Sequence, residues 1–146
     1  MIRVGPITGA GPLTQAMATA ASGMNTQATR MRVSAENIAN ASSTAAVPGG
    51  DAYRRKLITF DRAVDRATGA QLVRLDSIRN DQRDFRTQYD PSHPAADERG
   101  YVKLPNVDML IEQADLRAAG RSYEASMAVL QQARALYGKT LDILRS

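Results

Sequence analysis

The chain has 146 residues, is 43% hydrophobic but only 5% aromatic, and carries a net charge of +4, one histidine and no cysteine. Such a composition describes an ordinary folded chain with a modest core and excludes disulfides, thiolate metal centres and multi-histidine metal sites. No run of 18 apolar residues occurs, so no membrane span is expected, and the first 15 residues lack the apolar stretch of a cleaved signal peptide.

Residues 1–12 are rich in glycine and proline (Gly5, Pro6, Gly9, Gly11) and read as an extended arm. Pro12 suits a first helical turn, and residues 13–40 hold no proline. Within them Met17, Met24, Met31 and Ile38 recur every seventh residue, flanked by Ala21, Ala28 and Ala35. The pattern predicts a helix whose apolar stripe has coiled-coil spacing, and an ordinary amphipathic core helix explains it equally well. Asn40 is expected to end the helix in the left-handed conformation. As a helix-terminus residue, Asn37 is expected to tolerate replacement by alanine at little cost.

Residues 41–106 read as a loop and a small β-rich middle domain. Residues 41–50 are small and polar and end in Pro-Gly-Gly, a linker. Tyr53–Phe60, Gln71–Ile78 and Arg83–Tyr89 are candidate strands, and Tyr101–Leu104 is a short extended piece. The longest basic run, Arg54-Arg55-Lys56, lies among interleaved acids and reads as a solvated face rather than a nucleic-acid patch. The acid pairs Asp61/Asp65 and Asp81/Asp84 stand among arginines and read as solvated ion pairs. Asp90, His93, Asp97 and Glu98 lack the spacing of a metal-ligand motif, and the prolines beside them indicate a rigid turn.

Residues 107–146 form the longest uninterrupted segment. Met109, Leu116, Tyr123, Leu130, Tyr137 and Leu144 fall every seventh position, with Gly120, Met127, Arg134 and Leu141 between them. Alternating steps of three and four predict a second helix at coiled-coil spacing. Fold class is therefore mainly α: two long antiparallel helices around a small β-rich insertion. The helices differ in length, so apolar surface is left over for neighbours. The predicted interface comprises Met17, Met24, Met31, Ile38, Leu116, Tyr123, Met127, Leu130, Tyr137, Leu141 and Leu144.

No nucleophile–base pair, phosphate loop or dinucleotide fingerprint is present, so no catalytic, cofactor-binding or metal residue is assigned. An enzyme with its site in the middle would need such a pair. A coiled-coil adaptor or nucleic-acid binder remains a rival, although the charges of the last helix cancel.

Three separated segments carry a resemblance. Ser34–Ser43, with Asn37 and Asn40, is similar to the Asn-x-x-Asn close of the first helix in the bacterial flagellar rod and hook axial proteins. Tyr89–Asp108, which includes Asp90, Pro91, Pro94, Asn106 and Val107, resembles the stretch before the last helix in a short proximal-rod subunit. Arg121-Ser122-Tyr123 and Lys139-Thr140-Leu141 resemble elements of that family's last helix. The resemblance implies a structural rod subunit, with another short rod subunit of the family as the alternative. It implies terminal helices packed in an inner tube around an export channel, and an outer β-rich domain. Expected partners are other rod subunits, further copies, the membrane-ring and rod-adaptor proteins, and the flagellar type III export apparatus, with no nucleic acid and no membrane insertion. The expected place is the periplasm-spanning rod, reached without a cleaved signal.

Overall fold

The computed structural model describes residues 11–145, and most of the predicted arm (residues 1–10) lies outside the described residues. The element order is α1 (Pro12–Ala39), β1 (Lys56–Val64), β2 (Gln71–Asn80), β3 (Arg86–Tyr89), β4 (Tyr101–Leu104) and α2 (Met109–Arg145). The chain is mainly α with a β insertion, as its periodicity predicted.

The helix ends have local causes. Pro12 opens α1, where its missing N–H costs nothing. Asn40 closes it, but without the left-handed turn expected from sequence: among the described residues only glycines have positive φ. Instead the Asn40 side chain donates to the Glu36 carbonyl (2.9 Å) and accepts from the Ser43 hydroxyl (3.1 Å). The Glu36 carbonyl also accepts from the Asn40 amide (3.1 Å), so the side chain adds a second bond to a late helical carbonyl. Asp108 caps α2, its carboxylate accepting from the amides of Leu110 (2.9 Å) and Ile111 (3.3 Å).

The middle forms two separate two-stranded sheets, β1–β2 and β3–β4. At the β1–β2 turn Asp65 accepts from the Ala67 amide (3.0 Å) and the Thr68 hydroxyl (2.8 Å). β3 and β4 are antiparallel, with Arg86 opposite Leu104 and Tyr89 opposite Tyr101. The first predicted strand begins three residues later than expected, at Lys56.

The chain divides into two compact units. The first comprises residues 11–29, 60–76 and 119–145 of the described chain. Its buried residues are Ala20, Thr26, Ala70, Ala119 and Ala133, none larger than threonine. Gly23 lets α2 approach, since a Cβ there would stand 3.2 Å from the Ser126 hydroxyl. The helix also supplies partners to the strand: Ser22 accepts from the Val73 amide (3.3 Å), and Gln15 donates to the Thr68 carbonyl (2.8 Å). An alanine side chain buries little area, so this unit is thinly stabilised.

The second unit comprises residues 30–59 and 77–118. It buries Val33, Ala52, Ala95, Val102, Pro105 and Val107 together with the polar Ser34, Asn37, Asp81 and Glu112. Its core is held by hydrogen bonds as much as by apolar contact.

Candidate assembly surface

Two features stand out: a buried polar anchor in the second unit and an exposed apolar row on α2.

The anchor centres on Asn37, which is 1% exposed. Its amide nitrogen donates to the Lys56 carbonyl (3.0 Å) and to Glu112 Oε2 (3.1 Å). Its oxygen accepts from the Lys56 amide (2.8 Å) and from the Tyr53 hydroxyl (2.9 Å). A carboxamide has two donors and two acceptor sites, and all four are used. The side chain therefore pairs with the start of β1 as another strand would, while also holding the first turn of α2 and the residues before β1.

Glu112, equally buried, receives the Arg55 guanidinium in a short charge-assisted hydrogen bond. Arg55 also reaches Asp115 at 3.7 Å, and its amide donates to Asn106 Oδ1 (2.8 Å). Asn106 passes the connection on, donating to the carbonyls of Asp81 (3.2 Å) and Arg83 (3.1 Å). Asp81 is held below the usual carboxylate range, chiefly by its hydrogen bond from the Arg83 side chain. Burial pushes the Tyr53 phenol up to about 12, and the carboxylates of Glu36 and Glu112 add to the shift.

The three basic residues before and at the start of β1 are not a solvated face. Arg54 stacks over the Phe85 ring, 4.2 Å from its centre, Arg55 joins the anchor, and Lys56 pairs with Glu36. Asp81 likewise is a buried carboxylate rather than a solvated ion pair. Sequence reasoning missed Tyr53, Arg55 and Glu112. One signal was available: Glu112, Ala119, Ser126 and Ala133 also recur every seventh residue.

That row matters on α2. Apart from Gln113 and Gly120, the α2 positions that escape full exposure are 112, 116, 119, 123, 126, 130 and 133, at alternating steps of four and three. Leu116, Tyr123 and Leu130 are half-buried as one row, and the alternate row runs through Ala119, Ser126 and Ala133. It does not run one residue on through Gly120, Met127, Arg134 and Leu141, the row to which Met127 and Leu141 drew the sequence reading. Small side chains fill the covered row because the helices approach closely there.

Beyond Ala133 every described residue of α2 is exposed. Tyr137, Leu141 and Leu144 lie in this stretch, Leu144 at 77% exposure. Met127 is also exposed, as are Met109, Leu110 and Ile111 at the start of the helix. On α1, Met17, Met24, Met31 and Ile38 are all half-buried, flanking the more deeply buried Ala20, Thr26, Val33 and Asn37.

The remaining motif residues build a turn rather than a binding site. Asp90 accepts from the amide (3.2 Å) and hydroxyl (2.7 Å) of Ser92, and the latter bond lowers its pKa. His93 Nδ1 accepts from the Ala95 amide (3.0 Å). Asp97 accepts from the amides of Arg99 and Tyr101 (both 2.9 Å), which lower its pKa, that of Tyr101 most. Gly100 has φ +83, and a Cβ on it would stand 2.9 Å from the Tyr89 ring and 3.1 Å from Pro91. Pro94 is exposed, and the Val107 carbonyl accepts from the Arg86 guanidinium (3.1 Å). Arg121 and Ser122 are exposed, while Tyr123 is on the half-buried row. Among the described residues no helix is long and apolar enough to cross a membrane.

Known proteins agree on a family. Residues 98–143 match the family model described as flagellar basal body rod FlgEFG protein C-terminal. The flagellar basal-body rod protein FlgC of Agrobacterium fabrum is 47% identical, over 92% of this chain and 97% of its own length. The FlgC proteins of Salmonella typhimurium and Bacillus subtilis are 39% and 33% identical, over 85% and 84% of this chain, and 92% of each relative is covered.

Proposed function

The chain belongs to the FlgC family of flagellar basal-body rod proteins, and on that premise we propose that it is a proximal-rod subunit whose two long helices pack into the inner wall of the shaft. As a member of that family it is a structural component of the flagellum, serves motility, and is not an enzyme. Its place is the basal-body rod, where it assembles with other rod components.

The observation that carries the finer reading is the α2 row. Leu116, Tyr123 and Leu130 are half-covered within the chain, and the same seven-residue row continues at Tyr137 and Leu144, which are exposed. A helix whose apolar seam outruns its partner is built to meet another helix. In this reading residues 13–40 and 107–146 run antiparallel at coiled-coil spacing and line the export channel, and residues 41–106 sit outside. Met17, Met24, Met31 and Ile38 on α1, and Leu116, Tyr123, Met127, Leu130, Tyr137, Leu141 and Leu144 on α2, supply contacts to copies of the chain and to neighbouring rod subunits. The membrane ring and rod adaptor meet the lower end of the shaft. The chain reaches its place through the flagellar type III export apparatus.

Basal bodies isolated from cells carrying an epitope-tagged chain test this. Label is expected on the shaft beside the membrane ring. Label confined to the distal shaft or the hook would move the chain to another position in the axial structure.

A further inference from the structure

We propose that the buried anchor of Asn37, Glu112 and Arg55 sets the register of the two long helices. It selects one sliding position of α2 along α1 where small side chains alone would accept two.

The ambiguity is built into the sequence. At seven-residue steps from Glu112, α2 carries Ala119, Ser126 and Ala133. Gly23 of α1 stands beside Ser126, where a Cβ on the glycine would lie 3.2 Å from the hydroxyl and 3.9 Å from the Ser126 Cβ. A slide of α2 by one repeat puts Ala133 in the place of Ser126, one small side chain for another. The first unit buries no side chain larger than threonine among its described residues, and uniform small residues discriminate little between registers. The slide has one open direction. Bringing Ala133 to Gly23 feeds seven residues of α2 into the connection after β4, and lengthening a loop costs little. The opposite slide would draw Tyr101–Leu104 away from β3.

The polar groups are not indifferent to register. The Asn37 amide donates to Glu112 Oε2 at 3.1 Å, and Arg55 donates to the other oxygen. This contact and that of Gly23 with Ser126 lie fourteen residues apart on both helices, two full repeats, so they belong to a single register. In the slipped register Ala119 stands where Glu112 was. Asn37 then loses its carboxylate partner, and Arg55 leaves both carboxylates it reaches, Glu112 and Asp115. Stranding such groups is costly, whereas an intact buried ion pair adds little net stability over apolar residues of the same size. Its contribution is to exclude the arrangement that breaks it, as a single buried polar residue does in a helix pair. The choice reaches the helix end, because a slip of seven residues moves the exposed tail of α2 by roughly 10 Å.

The chain has no cysteine, so engineered disulfides report the register directly. In the full chain, Gly23→Cys with Ser126→Cys reports the observed register, its Cβ separation lying in the range a disulfide bridges. Gly23→Cys with Ala133→Cys reports the slipped one. Each pair is placed in three backgrounds: the unaltered anchor, Asn37→Leu with Glu112→Leu, and Glu112→Ala with Ala119→Glu, which moves the carboxylate one repeat along α2. Dilute chains are oxidised, disulfides within a chain are quantified by mass spectrometry, and circular dichroism checks that the helix remains. The unaltered anchor is expected to favour the Ser126 disulfide. Removing the anchor is expected to raise the share of the Ala133 disulfide about tenfold, the factor that one lost charge-assisted hydrogen bond represents. Moving the carboxylate is expected to make the Ala133 disulfide predominant. A share of the Ala133 disulfide that rises in neither altered background, with the helix retained, overturns the proposal. Loss of the helix in both altered backgrounds also overturns it, because the anchor would then hold the fold rather than choose its register.

Discussion

Asn37 uses every hydrogen-bonding group it has, and its loss strands several partners at once. Asn37→Ala leaves the amide and carbonyl of Lys56, the Tyr53 hydroxyl and one oxygen of Glu112 without it. Stranding buried polar groups is costly, so the variant is expected to lose about 2–3 kcal/mol in urea unfolding. A loss below 0.5 kcal/mol, roughly the scatter of a surface change, would reduce the anchor to a helix terminus. Tyr53 gives the anchor a pH signature. Its phenol is raised from 10 to about 12, so the neutral form is favoured in the fold. That contribution is fully present below pH 10 and is lost as the pH rises through about 12. Denaturation midpoints measured across this window should fall for the wild-type chain and fall less for Tyr53→Phe. Parallel curves would show that the phenol carries no such linkage. Gly100 holds a positive φ against Tyr89 and Pro91, so Gly100→Ala is expected to cost about 1–3 kcal/mol in the same assay.

At the scale of elements, the exposed tail of α2 separates assembly from folding. Leu141 is exposed and Leu130 is half-buried. Leu141→Asp is therefore expected to leave the stability of the isolated chain within about 0.5 kcal/mol and yet abolish swimming in soft agar. Leu130→Asp is expected to abolish swimming too, and also to cost about 2 kcal/mol, because it brings a charge into partly buried surroundings. Wild-type swimming by Leu141→Asp would take the tail out of the interface. The β elements show why the middle was read only in outline. The predicted strands are present in order, but their pairing into two separate sheets depends on contacts distant in sequence, such as Asn37 on Lys56 and Ser22 on Val73.

For the whole molecule, the two units differ in what holds them. Among the described residues the first buries only alanines and a threonine, the second a valine-rich core with a hydrogen-bonded polar anchor. Limited trypsin digestion of the isolated chain is accordingly expected to cut first in α2 beyond Ala133, at Arg134 and Lys139, while the second unit, residues 30–59 and 77–118, is cut later. Circular dichroism of the same sample should show less helix than the 28 and 37 residues of α1 and α2 account for, with the deficit recovered on assembly. Full helicity and a resistant tail in the monomer would mean that the helices satisfy each other without neighbours.

The two helices, the β-rich middle and the family were legible in spacing and local text. A seven-residue apolar period is a property of spacing alone, and the Asn37/Asn40, Tyr89–Asp108 and Arg121–Tyr123 motifs are local text. The same text also marked Asn37 and Asn106 as motif residues without saying what they do. That both belong to one network with Tyr53, Arg55 and Glu112 emerges in the fold alone, because partners 16 to 75 residues apart meet only once the chain is folded. The fold likewise decided which side of α2 the chain covers. Spacing and side-chain size favoured the row through Met127, whereas close approach at Gly23 selects the small residues Ala119, Ser126 and Ala133 and leaves the large apolar side chains facing outward.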